Sequence, residues 1–208
     1  MAIEDRYDGI LSAARDVIAR RGFAQASIRE MARAAGLSLA GLYHYVGGKE
    51  ELLFLVLDWS LDRLLGALDA ALREARTPET KLLALVRTHL EFGFQQPAAL
   101  KIINRDHELL AEPRRSEVAA KRQAYLRRGF VILRDLDRHG RSGDELLSAT
   151  NLLLGMLNGI ATRPFVRSGD DARGLAAEAA ALFLYGFLER SADRAGAPSG
   201  LPGGEDDA

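Results

Sequence analysis

The chain has 208 residues, 48% of them hydrophobic, and its 28 Lys plus Arg nearly balance 29 Asp plus Glu, so net charge alone gives no sign of a nucleic-acid partner. The absence of Cys excludes disulfides and thiolate metal sites. No apolar run approaches the roughly 20 residues that cross a bilayer, and the start, MAIEDRYDG, lacks the apolar segment of a signal peptide, so the expectation is a cytoplasmic protein with no membrane partner.

Nearly everything reads as helix. Tyr7, Ile10, Leu11, Ala14, Val17 and Ile18 give a first helix its apolar stripe, and Gly22 terminates it. Ser27 is a good N-cap for a helix over 28–35, where Ile28, Met31, Ala32 and Ala35 share one face. Gly36 ends that helix by taking the left-handed conformation, and Leu37 turns toward the core. Ser38 then caps a second short helix over 39–45. Gly47-Gly48 stops it, and Lys49-Glu50-Glu51-Leu52 opens a long helix with its acids at the positive end of the dipole. Two short helices joined by a three-residue turn form a helix-turn-helix. Between Arg20 and Lys49 stand five basic residues, Arg20, Arg21, Arg29, Arg33 and Lys49, against the single acid Glu30. A local basic surface of this kind is what the electrostatic part of DNA affinity requires.

Further helices are expected over 50–75, 78–96, 98–111, 113–139, 144–166 and 171–190, with Thr77-Pro78 and Pro97 marking breaks. The end of the chain, 195–208, is rich in Gly, Pro and acids and too poor in apolar residues to order itself. No strand pattern appears. The expected class is all-α: a helix-turn-helix unit at 1–48, a helical body at 49–192 and a disordered tail at 193–208.

The middle helices place Val86, His89, Leu90 and Phe94 near Ile103, Asn104, His107 and Tyr125, an apolar region with few polar groups, as small-molecule sites have. An enzyme finds little support. The four His have no metal-ligand spacing, Gly140-Arg141-Ser142-Gly143 follows no strand and so is no nucleophile elbow, and no Gly-rich loop cradles phosphate. No metal or cofactor is expected. The last two helices combine small residues, Asn151, Gly155, Gly159, Ala176 and Ala180, with Phe183, Phe187 and many Leu. Their apolar surface exceeds what one partner covers, so they are either buried core helices of a monomer or halves of a dimer bundle.

Gly22-Phe23, Ser27-Ile28-Arg29-Glu30-Met31-Ala32, Ala35-Gly36-Leu37-Ser38, Leu42-Tyr43-His44-Tyr45 and Lys49-Glu50-Glu51-Leu52 resemble the N-terminal domain of the TetR family of bacterial transcriptional regulators. Two positions depart from it: Leu39 stands where members often carry Lys or another polar residue, and Val46 where they carry an aromatic. The resemblance implies a homodimer that binds palindromic double-stranded operator DNA, most often as a repressor, with a four-helix bundle of the last two helices as its interface. Ser38, Leu39, Ala40 and Gly41 would then face base edges, while Ser27, Arg29, Tyr43, His44 and Lys49 belong to the surface that holds the backbone.

Leu153-Leu154-Gly155-Met156-Leu157-Asn158, followed by Arg163-Pro164-Phe165, is similar to a segment of TetR-family repressors that sense CoA thioesters, with Gly159, Ile160 and Ala161 in place of their aromatics. That adds Asn158 and Arg163 to the expected ligand site and points to a small hydrophobic effector, an acyl-CoA. Arg105, Arg114, Arg115, Lys121, Arg122, Arg163 and Arg167 are candidate phosphate partners. A sensor of other hydrophobic compounds and a constitutive DNA-binding protein without effector are the alternatives.

Overall fold

The computed structural model of the chain describes residues 3–162 and 169–188. It is all-α, as expected, with nine α-helices among the described residues: α1 (Ile3–Arg21), α2 (Ile28–Ala34), α3 (Leu39–Tyr43), α4 (Lys49–Glu74), α5 (Pro78–Gln95), α6 (Pro97–Arg105), α7 (Arg114–Leu136), α8 (Gly143–Ala161) and α9 (Gly169–Leu188). A single 3-10 turn, His107–Leu109, lies between α6 and α7.

Local signals set the N-terminal boundaries. Gly22 and Gly36 both hold positive φ, +80° and +67°, and release the chain from α1 and α2. Two later helices end sooner than periodicity indicates. The expected helix over 98–111 stops at Arg105, where the chain tightens into the 3-10 turn closed by the Leu109 N–H on the Asp106 carbonyl at 3.1 Å, with the Asp106 side chain buried and paired to Arg105. The one expected to 139 stops at Leu136, because the Asp137 carboxylate accepts the His139 and Arg141 backbone N–H groups, at 3.3 and 2.7 Å, and closes a turn. The expected ends of the last two helices, at 166 and 190, and the tail at 193–208 fall outside the described residues.

Helices α1, α2 and α3 form one small cluster, and α4 leaves it to pack against α5 and α7. Helix α5 sits at the centre of the body, touching α4, α6, α7, α8 and α9. Gly93 permits its crossing with α8: a Cβ there would stand 2.5 Å from the Ala161 methyl group. Helix α9 lies chiefly on α5, and this corrects part of the sequence reading. Ala176, Ala180 and Phe187 were expected to face a second chain but are buried within this one, because small residues are what lets α9 approach α5. The most outward apolar side chains of these two helices are Leu152 on α8, 72% exposed, with Leu182 and Tyr185 on α9, 74% and 67% exposed. Gly159 is exposed and Phe183 half-buried on the same two helices.

Candidate functional site

The α2–α3 unit is built by side chains that finish the helix ends. The Ser27 Oγ accepts from the Glu30 backbone N–H at 3.2 Å while the Ser27 N–H donates to Glu30 Oε2 at 3.0 Å, a reciprocal cap. These bonds, first the Ser27 backbone and then its hydroxyl, hold the Glu30 carboxyl below its ordinary range. The Ser27 hydroxyl also donates to Glu30 Oε2, so both of its hydrogen-bonding roles are used in the cap, and the residue is exposed. On α3, the Ser38 Oγ accepts from the Gly41 N–H at 2.9 Å. Arg29, Ser38, Ala40, Tyr43 and His44 are exposed, and Leu39, Gly41 and Lys49 are half-buried. Tyr43, at 49% exposure, is a large ring turned to solvent with no core contact to explain it. Lys49 is tied inward: its Nζ donates to the Ala24 carbonyl at 3.2 Å and stands 4.4 Å above the Phe23 ring, fixing the start of α4 to the α1–α2 connection.

In the body of the protein a cavity of about 430 Å³ opens between α4, α5, α6, α7 and α8. Leu61, Leu64, Leu100, Ile103 and Leu126 supply its apolar wall. Asn104, Gln123, Asn151 and Gly155 line it and are exposed, so they mark its mouth, where Asn104 Nδ2 donates to Asn158 Oδ1 at 2.8 Å. At the buried end His89 and Tyr125 form a pair, Nδ1 to Oη 3.1 Å, with ring centroids 5.9 Å apart. Burial pushes the His89 pKa down to about 4 against a smaller opposing pull from Asn158, and burial pushes the Tyr125 phenol up. Both are therefore neutral near pH 7. The His89 Nε2 is buried without a hydrogen-bond partner.

The expected ligand residues divide. His89, Ile103, Asn104, Tyr125 and Asn158 line the cavity. Val86 and Leu90 do not: they are wholly buried in the core between helices, and Phe94 packs against that core elsewhere. His107 stands behind the wall, its Nε2 accepting from Arg122 Nη1. Arg163 lies outside the described residues, as does Arg167. Asn151 and Gly155, expected at the dimer interface, are exposed and line the cavity mouth.

Most of the expected cations are already neutralised. Arg105 pairs with Asp106 at 2.6 Å, Arg114 with Glu51 at 3.1 Å, Arg115 with Glu112 at 2.8 Å, and Lys121 with Asp58 and Asp62. Arg122 differs. It lines the cavity, burial lowers its pKa, and no carboxylate lies within ion-pair distance of it among the described residues. No Asp or Glu stands among the described lining residues.

One element joins the cavity to the α1–α3 cluster. Leu100, Ile103 and Asn104 of α6 line the cavity, while its Lys101 Nζ donates to the Ala19 carbonyl at 2.8 Å and its Arg105 Nη2 to the Ile18 carbonyl at 3.2 Å. Both carbonyls belong to the last turn of α1, where the negative dipole end favours cations, and the Ile18 carbonyl accepts the Gly22 N–H as well, at 2.8 Å. Helix α4 makes a second link: Glu50 Oε1 accepts from the Ala111 N–H at 2.9 Å, near its start, and Leu61 and Leu64 line the cavity.

Residues 10–56 match the family described as bacterial regulatory proteins, tetR family, and residues 75–186 match the tetracyclin repressor-like C-terminal domain. The HTH-type transcriptional regulator BetI of Rhizobium meliloti (strain 1021) is 37% identical over 82 residues, which span 39% of this chain and 40% of that protein. The match thus covers less than half of that relative. A TetR-family transcriptional regulator from Bordetella parapertussis 12822 superposes with a TM-score of 0.80 at 27% identity, over 91% of this chain and 100% of that one. AibR, solved in complex with isovaleryl coenzyme A and operator DNA, does so at 0.72 and 25% identity, over 83% of this chain and 97% of that one.

Proposed function

The chain belongs to the TetR family of DNA-binding bacterial transcriptional regulators, and from that premise we propose that it is a homodimeric repressor released from operator DNA by a small anionic or acyl effector, such as an acyl-CoA thioester. The carrying observation is the cavity wall, which is mostly apolar and holds one cation, Arg122, but no carboxylate among its described residues. Such a wall favours a hydrocarbon group joined to an anion or a strongly polarised carbonyl. It disfavours a cationic drug. The CoA-bound AibR structure supports the same class, although only Arg122 remains of the described cations offered for phosphates.

Dimerisation is assigned to the outward face of α8 and α9, where Leu152, Leu182 and Tyr185 need cover. In such a dimer the two α3 helices must stand about 34–36 Å apart to enter successive major grooves. A ligand that separates α6 from α4 moves the last turn of α1 through Lys101 and Arg105 and changes that spacing. It relieves repression only if it binds the DNA-incompetent state better.

Selection from a random duplex pool tests the reading. The protein should enrich a palindrome with half-sites one helical turn apart, and Tyr43→Ala should weaken selected and unselected duplex about equally, as loss of a backbone contact does. Failure to enrich any duplex would remove the operator from the proposal.

A further inference from the structure

His89 is a buried lining residue whose chemistry a plain acyl chain leaves unused. It is 3% exposed, on α5, and lines the cavity with the Asn158 side chain, the partner of Asn104, close enough to act on it. Its Nδ1 is committed to the Tyr125 hydroxyl, and its Nε2, although the Asn158 side chain is near, has no partner at hydrogen-bond geometry among the described residues. A buried ring nitrogen without a hydrogen bond is costly. Simple packing of an aliphatic ligand would be served better by Leu or Phe at this position, as it is by Leu61, Leu64 and Leu100 around it.

The polarity of the free nitrogen follows from Tyr125. If the Tyr125 O–H donates to Nδ1, the ring proton sits on Nε2, which then offers a donor. If Nδ1–H donates to the Tyr125 oxygen, Nε2 is an acceptor. A hydroxyl satisfies either tautomer, because it both donates and accepts. Arg122, the cation of the cavity wall, is available to a second, anionic or carbonyl group of the same molecule.

Resting on the effector reading above, we propose that the effector carries a hydroxyl group, read by His89 Nε2, on an otherwise apolar acyl or aryl body whose carboxyl-derived group is met by Arg122. The hydroxyl makes the protein a sensor of an oxygenated acid rather than of an unmodified chain. Discrimination follows from desolvation, since a hydrogen-bonding site rejects an analogue that lacks the group far more strongly than an apolar pocket rejects one that has it.

Matched pairs test this on the full-length protein by calorimetry: hexanoate against 6-hydroxyhexanoate and phenylacetate against 4-hydroxyphenylacetate, each as free acid and as CoA thioester. The hydroxylated member of at least one pair should bind ten-fold or more tightly than its partner. His89→Leu should reduce that ratio below three by weakening the hydroxylated ligand alone. Binding of the plain member equal to or tighter than the hydroxylated one in both pairs overturns the inference while leaving an acyl effector in place, as does a preference that survives in His89→Leu. Binding of none of the eight compounds overturns the inference and the effector reading together. The wild-type ratios decide the matter even if the variant fails to fold.

Discussion

Asn104 and Arg105 are neighbours on α6, yet one faces the cavity and the other the α1 helix end: Asn104 Nδ2 donates to Asn158 Oδ1 at 2.8 Å, and Arg105 Nη2 to the Ile18 carbonyl at 3.2 Å. Any ligand that displaces the Asn104–Asn158 bond acts on the helix that caps α1. If this contact carries the response, a Lys101→Met, Arg105→Met double variant should bind ligand as before but lose most of the effect on DNA. Coupling of this kind is typically about 1–3 kcal/mol. Operator anisotropy titrations with and without ligand should show the ligand-induced loss of affinity shrinking to under threefold. A loss undiminished in the variant would assign the coupling to α4 alone.

His89 makes stability depend on pH. The unfolded chain binds a proton at this position near the ordinary histidine value of about 6.5, whereas the folded chain does so only at about 4. Below pH 6.5 the unfolded state therefore holds more protons, and the stability from a neutral His89 is full above that value and lost as the pH falls toward 4. Between pH 7 and pH 5 the loss from this group is about 2 kcal/mol. Urea unfolding of wild type and His89→Gln at both pH values isolates it, since the acids common to both cancel. An unchanged difference between the two proteins would show that His89 is not buried and neutral in the fold.

The helix-turn-helix was legible because its signals are local. Ser27, Gly36 and Ser38 act within three or four residues of themselves, and the structure places caps and left-handed turns at those positions. Cavity and core were not separable in the sequence. Val86 and Leu90 look no different from Leu61 and Leu64, and only the packing of α4 against α5 decides which pair meets the other side chains and which meets space. His89 was recognisable as a polar residue in an apolar stretch, but its free Nε2 depends on Tyr125, 36 residues away. The alanines of α9 gave the opposite error. Small residues signal close approach without saying to which helix, and here that helix is α5 of the same chain.

That distinction gives the dimer face a pair of contrasting substitutions. Leu182→Arg replaces a side chain exposed in the protomer, so helicity and melting of the monomer should change little while sedimentation velocity shifts from dimer to monomer at micromolar concentration. Ala180→Arg puts an unpaired cation into the α5–α9 contact and should cost several kcal/mol of fold stability. If Leu182→Arg remains dimeric, the interface lies elsewhere.

The claim that cavity and DNA surface are coupled is tested most directly by a closed thermodynamic cycle. Ligand affinity is measured for the free protein and for its complex with the selected operator, and operator affinity is measured with and without saturating ligand, all at one salt concentration. Linkage requires the two ratios to be equal. The account predicts that both exceed fivefold, with operator-bound protein the weaker ligand binder. Equal ligand affinity for free and operator-bound protein would contradict it.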